Sequence, residues 1–520
     1  MGKIARYLNQ LIIGNVFDSP EVLEKYSTDR SALAIRPKLV ALPESTDDVR
    51  KLVRFCAQLA AKDMKIPITV RGSGLDETGA DLGNGMILST EKLNRLLEAD
   101  KRERLVRVQA GITLKELNTA LSVNGLTIPI AGHEMETIGG LISNCPSDDF
   151  ANKYGGIMNY VERIEAVLPN GDILQTARLS GHAIKKKAAE KTFEGRLYGK
   201  IAKLGAKHAV LLKEMRGATG RAGYPTITKA IRKSSVDLTP LFFGAQGTLG
   251  IITEVILRAI PIEKQSKRAA ATFDDFEMAG RFMEMVNAMK PRKLNLYDVR
   301  IIKVAKETGK KLGKVAGKLD DGFVVLAEFD HKPNAALRKI ASVKKVLPKT
   351  AQLLVENNKT ASELDELDNS LVSFLNQTRN GERVPLMTGF SVPAQNLAKF
   401  VEDVKVLEKS LRIELALYGS YAANCYNLRP KFDVTKPDFN KKATAFLKTG
   451  AYVISRQGGD LAGGTPEGRV KAIATNEEMP ADKMALYAEI KNAFDKYDIL
   501  NSGVKLGADA TYTIRHFRKK

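Results

Sequence analysis

Three segments set glycines against short apolar runs: Arg71–Ala80 (RGSGLDETGA), Glu136–Asn144 (ETIGGLISN) and Phe242–Glu254 (FFGAQGTLGIITE). Each falls where a strand pattern meets a helix or loop pattern. Without a Cβ, backbone amides at such junctions can approach a diphosphate or the polar edge of a ring. None of the three is a dinucleotide fingerprint or a Walker A loop. No Gly-x-Gly-x-x-Gly opens a helix, and no Gly-Lys-Ser/Thr occurs. A single such loop is most often a plain turn. Their order and spacing along one chain point to a shared ligand.

The 520 residues suggest about three structural units. With 44% hydrophobic and 27% charged residues, the composition excludes a disordered or collagen-like chain. No apolar run approaches the ~18 residues of a membrane-spanning helix. The N-terminus lacks the apolar stretch and cleavage site of a secretory leader. Cys56, Cys145 and Cys425 are far apart and without metal-like spacing, so reduced thiols in a cytoplasmic protein are expected. The formal charge is +21, and it is concentrated. Between Arg178 and Lys233, 15 Lys and Arg face 3 Glu, while Leu197, Ile201, Leu204, His208, Leu211 and Met215 share one helical face. Three readings stay open for this stretch: a solvated surface, a docking face for anionic lipid or an acidic electron carrier, and nucleic-acid binding. No zinc-finger spacing or aromatic RNA-binding strand accompanies the charge, so nucleic acid is not expected.

Along the chain, residues 1–36 carry a helical pattern and form an N-terminal segment. Strand–helix alternation then runs over 37–262, with the basic insertion at about 178–233. Longer units follow over 263–480, with strand patterns at RAAATF, FVVLAEFD, VPLMTGFSVP, IELALYGSY and AYVISR and helices expected on one sheet face. A last helix and tail occupy 481–520.

These blocks resemble flavoproteins with the vanillyl-alcohol oxidase / p-cresol methylhydroxylase (PCMH) type of FAD-binding domain. Within them, the chain resembles the D-2-hydroxyacid dehydrogenase branch. PKLVALPESTDDVRKLVRFC matches the entry strand and helix, RGSGLDETGA the phosphate loop, and TIGGLISN, KYGGIMNYVERIEAVLPNGDIL and LFFGAQGTLGIITEVILRAIP later blocks. DILNSGV is similar to the C-terminal Ile-Leu-Asn-Pro-Gly. The resemblance implies an α+β fold, a two-subdomain FAD domain followed by a ferredoxin-like substrate domain, with the C-terminal helix packing near the flavin. It implies that Gly72, Ser73, Gly74 and Leu75 bind the pyrophosphate, with Thr78 and Gly79 closing the loop and Arg71 among the cofactor-binding residues. Thr137, Gly139, Gly140 and Asn144 would line the flavin and ribityl side, and Gly247, Gly250 and Ile252 would contact the adenine end or close the site. No His lies in the first loop, so the FAD is expected to be non-covalent.

The reaction centre departs from the resemblance. Relatives hold a metal on a Gly-His-x-Gly-Asp-Gly-Asn-x-His strand and a Gly-Glu-His-Gly turn. Here Ser420 and Asn427 occupy the two His positions, and Gly464 and Thr465 the Glu and His. Such a set makes no tight divalent site, and no catalytic metal is expected. Met387 stands at a carboxylate-binding Lys. Arg379 matches a substrate Arg, and Arg429 shares the strand face of Asn427. His133, Tyr421 and Tyr426 are the candidates for catalytic contact, each set against a structural role, and Glu467 stands near the lost acid. The reading implied is an FAD-dependent oxidoreductase taking hydride from an alcohol or 2-hydroxyacid, with electrons leaving to a quinone, a protein carrier or oxygen. A flavin-binding electron-transfer or regulatory protein is the alternative. Its place would be cytoplasmic, or peripheral at the inner face of the membrane.

Overall fold

The Ser45 hydroxyl accepts the Asp48 N–H and starts the helix Thr46–Ala60, whose Val49, Leu52, Val53 and Cys56 are buried. In the computed structural model, which describes residues 2–217, 220–263, 265–307, 322–345, 347–370 and 383–518, this helix lies on a four-stranded sheet. The order is Asn15–Phe17, Leu39–Leu42, Met86–Ser89, Ile68–Arg71, the last three parallel. Two helices, Lys3–Leu11 and Pro20–Lys25, flank the first strand, so the helical pattern of residues 1–36 is interrupted by a strand. Asp48 holds that turn, accepting the N–H groups of Ile13, Gly14 and Glu44.

A five-stranded antiparallel sheet follows, in the order Leu96–Asp100, Leu105–Gln109, Ile251–Arg258, Val161–Val167, Ile173–Gln175. The basic stretch inserts after the edge strand. It forms a small sheet of Arg178–Ser180, Ser235–Asp237 and Ile231–Arg232 with helices Gly181–Ala189, Phe193–Lys207 and Ala209–Glu214. Leu197, Ile201, Leu211 and Met215 are buried as the periodicity implies, although the helix breaks at His208. Their partner is the helix Ala481–Phe494, with Tyr224 edge-on to Tyr487 at 5.9 Å. That helix belongs to the insertion's core. It lines no part of the cleft described below but packs behind the third glycine segment, where Lys491 donates to the Thr248 carbonyl and Phe494 meets Phe242 edge-on.

The remaining sheet has seven antiparallel strands, in the order Gln352–Val355, Lys267–Phe273, Phe323–Phe329, Lys293–Asp298, Leu415–Ser420, Cys425–Pro430, Met387–Phe390. In chain order the first four run fourth, first, third, second, the ferredoxin-like arrangement. Helices Phe276–Asn287, Pro333–Val343, Leu397–Leu411 and Phe439–Arg456 bury an extensive apolar core on one face. The opposite face is also covered in part, by Val299–Glu307 and Ala361–Asp368 around Tyr297 and Tyr418. AYVISR is not a strand; it ends the helix Phe439–Arg456, where Ala451 and Ile454 face the core and Tyr452 faces solvent.

The chain closes on itself near the first glycine loop. Leu500 bridges to Ile68, and Asn501 donates to the carbonyls of Ala80 and Gln246. The helix Gly468–Glu478 begins against the loop, with the Val470 N–H donating to Thr78 O at 3.0 Å.

Candidate active site

The three glycine segments meet along one side of a cleft of about 460 Å³, and the polar side of the seven-stranded sheet closes the other. Gly74 has φ +70°, which L side chains rarely adopt, and a Cβ there would meet the Arg71 guanidinium. A Cβ on Gly72 would lie 2.4 Å from Thr137 Oγ1, so the first and second segments touch only because that residue is glycine. Thr137 also caps the helix Ile138–Asn144 through the Gly140 N–H. Gln246, in the third segment, donates to Thr78 Oγ1 and Asn144 Oδ1 and accepts the Gly468 N–H. One amide side chain thereby ties all three segments together. Its place inside a glycine-rich run gave no separate signal.

Gly72, Ser73, Gly74, Leu75 and Thr78 line the cleft, as do Thr137, Gly139, Gly140 and Asn144. So do Gly247, Gly250 and Ile252. Arg71 and Gly79 do not. Arg71 turns back to donate to Thr28 O and stack on Tyr26, with 5.3 Å from its guanidinium carbon to the ring centre. Gly79 makes a turn at φ +75° against Leu33.

His133 lines the cleft, but both ring nitrogens are engaged. Nδ1 accepts the Met135 N–H at 3.1 Å, and Nε2 lies 3.5 Å from Arg30 Nη2. Beside it, Glu136 accepts the His133 N–H through Oε2. Burial lifts the Glu136 carboxyl to about 7, against the opposing pull of that hydrogen bond and of Arg30. Asp148, which accepts from the N–H groups of Ala131 and Phe150, is lifted to about 6, again mainly by burial.

Tyr421 and Tyr426 lie outside the lining. Successive strand residues alternate, so Cys425 and Asn427 face the cleft while Tyr426 packs against Phe390 in the apolar core. Tyr418, Tyr297 and Asn295 are the cleft-facing polar groups of the neighbouring strands. The alternation Lys293-Leu294-Asn295-Leu296-Tyr297 is the signal that locates Asn295 and Tyr297. Arg429 is fully buried and does not reach the cleft; it pairs with Glu77 and donates to the Tyr418 hydroxyl. Arg379 lies outside the described residues. Glu467 faces away, in a buried pair with Lys505 at 2.7 Å.

Ser420, Asn427 and Thr465 converge on the cleft, as the strand match implies. They make a poor metal set. Asn427 Oδ1 is taken by the Gly389 N–H, and the Lys471 ammonium lies 3.2 Å from Thr465 Oγ1. Lys471 also donates to the carbonyls of Thr388, Leu461 and Thr465, and burial lowers it to about 8. A fixed cation therefore stands beside the turn where a divalent ion would need anionic ligands. Asp29, Asp76 and Asp81 do cluster within 4.8 Å under the first loop. Asp76, however, is already bonded by Thr78, Ala80 and Asn144, and burial together with Asp81 pushes Asp29 well above the carboxylate range.

Family comparison agrees with this geometry. Residues 37–177 match the FAD binding domain, and residues 262–504 match the C-terminal domain of FAD linked oxidases. The chain belongs to the FAD-linked oxidases. It is 25% identical to glycolate oxidase subunit GlcD of Bacillus subtilis, over 91% of this chain and 90% of that one. It is 24% identical to D-2-hydroxyglutarate dehydrogenase of Pantoea ananatis over 92% of its own length, but spans only 48% of that protein. The fold is shared with substrate-bound p-cresol methylhydroxylase, at TM-score 0.67 and 14% identity, covering 98% and 97% of the two chains. The three glycine segments line one side of the cleft between these two matched regions. The chain is an FAD-dependent oxidoreductase.

Proposed function

We propose that the protein oxidises the carbinol of a small molecule to a carbonyl, without a metal and with FAD bound non-covalently. What supports this is the meeting, in one cleft, of the three glycine segments with the polar sheet face of the second domain. Gly72–Leu75, Gly139, Gly140 and Gly247 hold the cofactor. Bound there, FAD supplies the acceptor for the hydride that leaves the carbinol carbon. The named relatives act on glycolate and D-2-hydroxyglutarate, which places the donor among CH–OH compounds.

The chain's own work is to orient the alcohol and to take its hydroxyl proton. Ser420, Asn427, Asn295 and the Tyr418 and Tyr297 hydroxyls form the orienting face. Tyr418 accepts two guanidinium N–H bonds from Arg429, which fixes its oxygen. For the proton, Glu136 is the stronger choice. A carboxylate that ionises at about 7 matches a neutral working pH, whereas the Nδ1 lone pair of His133 is already spent on Met135. His133 then positions the loop on which Glu136 sits. The pH profile of anaerobic flavin reduction by a donor tests this. The wild type is expected to rise through about pH 7, and Glu136→Gln to be slower by about 100-fold and flat. His133→Gln should keep the rise. A Glu136→Gln profile like the wild type's would remove Glu136 from the role.

Electrons leave to a quinone, a protein carrier or oxygen. The exposed Lys185, Lys186, Arg196, Lys200 and Lys203 of the insertion are the proposed contact for an acidic carrier or an anionic membrane surface. Among the described residues no helix is long and apolar enough to cross a membrane.

A further inference from the structure

The cleft carries the opposite charge to the chain around it. Overall the protein is +21, yet Asp76, Glu77 and Asp81 line the loop side and Glu136, Asp148 and Asp149 the wall beside His133. Asp368 adds a seventh carboxylate from the second domain, and the cations in the described lining are Arg30 and Lys293.

Both cations are already answered. Lys293 Nζ lies 2.5 Å from Asp368 Oδ1 and 3.5 Å from Asp149 Oδ2. Arg30 sits against His133, and its charge acts on Glu136. Arg429 is turned to Glu77 behind the wall, and Met387 is packed into the apolar core. An entering carboxylate would therefore compete with Asp149 and Asp368 for Lys293. It would also sit near Glu136 and Asp148, whose negative forms burial already disfavours. A hydroxyl or ammonium group meets the reverse situation. Asp149 already accepts from Asn295 Nδ2, and Asn295 Oδ1 is a buried acceptor with no hydrogen-bond partner. The acceptors of this wall are carboxylate and amide oxygens, and the donors beside them, the Tyr297 and Tyr418 hydroxyls, are uncharged.

We infer that the cleft selects a non-anionic, hydrogen-bond-donating alcohol, neutral or cationic, over a 2-hydroxyacid anion. Asp149, Asp368 and Asn295 recognise its hydroxyl or ammonium groups. This rests on the reading of the cleft as a site of CH–OH oxidation.

Lactate, lactamide and 1-amino-2-propanol share one methyl carbinol and differ in charge. Each would be titrated into the FAD-loaded protein under nitrogen, following both the shift of the bound flavin's visible spectrum and its bleaching. Lactamide and aminopropanol are expected to bind at least about tenfold more tightly than lactate. Asp368→Asn should narrow that gap by raising lactate affinity, since it frees Lys293. Lactate binding as tightly as lactamide overturns the inference while leaving CH–OH oxidation intact. A lactate preference that vanishes in Arg379→Gln overturns it as well, by assigning the anion to Arg379. Bound flavin that no alcohol of any charge perturbs or bleaches, larger alcohols included, removes the CH–OH reading itself.

Discussion

Arg429 Nη2 donates to Glu77 Oε2 at 2.6 Å, joining the seven-stranded sheet to the first glycine loop through a guanidinium with no solvent exposure. The pair ties together the glycine-loop wall and the sheet wall of the cleft. Tyr418 is its third member and the one that faces the cleft.

Breaking this pair from one side leaves a charge stranded. Arg429 Nη1 already lacks a hydrogen-bond partner, and Glu77→Gln leaves the buried cation with neutral acceptors only, the Gln oxygen and the Tyr418 hydroxyl, and no counter-charge. The expected loss is about 3–5 kcal/mol, and Arg429→Met, which strands Glu77 instead, costs less because that carboxylate is 23% exposed and can be hydrated. Urea unfolding of the two variants compares them. Equal losses would mean that the charge is solvated by other means.

Gly72→Ala tests the contact between the first two glycine segments. The added Cβ, 2.4 Å from Thr137 Oγ1, forces the segments apart. Overpacking of this kind costs about 1–3 kcal/mol, or roughly ten- to hundredfold in FAD affinity. Gly156→Ala is the control, since its nearest neighbour would be 3.8 Å away and it does not line the cleft. Flavin retained after ultrafiltration measures both, and equal retention would contradict the account.

Stability should fall as the pH rises. Burial lifts Glu136 to about 7 and Asp76 and Asp148 to about 6, above their values in an unfolded chain. The folded protein therefore binds more protons than the unfolded one between about pH 4 and 7. Stability from these groups is full below that window and is lost as pH passes through 6 to 7, by up to about 3 kcal/mol apiece. Denaturation midpoints of the FAD-loaded protein should drop between pH 5 and 8, and Glu136→Gln should flatten the upper part. A midpoint that climbs over this range would show that these carboxyls ionise freely.

What the sequence disclosed follows the range of the interactions involved. The glycine segments and the capped helix Thr46–Ala60 depend on local backbone demands, and twelve of the expected cofactor contacts line the cleft. Arg71 is a local match whose side chain answers a distant partner, Tyr26. Tyr426 failed because one step along a strand reverses the face, and nothing local says which face meets the cleft. AYVISR has strand-forming residues, yet its Ala451 and Ile454 sit at helical spacing in the core, where packing overrides propensity. The carboxylate wall of Glu136, Asp148, Asp149 and Asp368 assembles from segments more than two hundred residues apart and had no linear signature.

The most direct test of the central claim is the visible spectrum of the protein reconstituted with FAD, followed under nitrogen as CH–OH donors are added. The account predicts about one FAD per chain, released intact by acid, and bleaching of its absorbance by an alcohol. A chain that retains no flavin, or a bound flavin that no CH–OH donor bleaches, would contradict it.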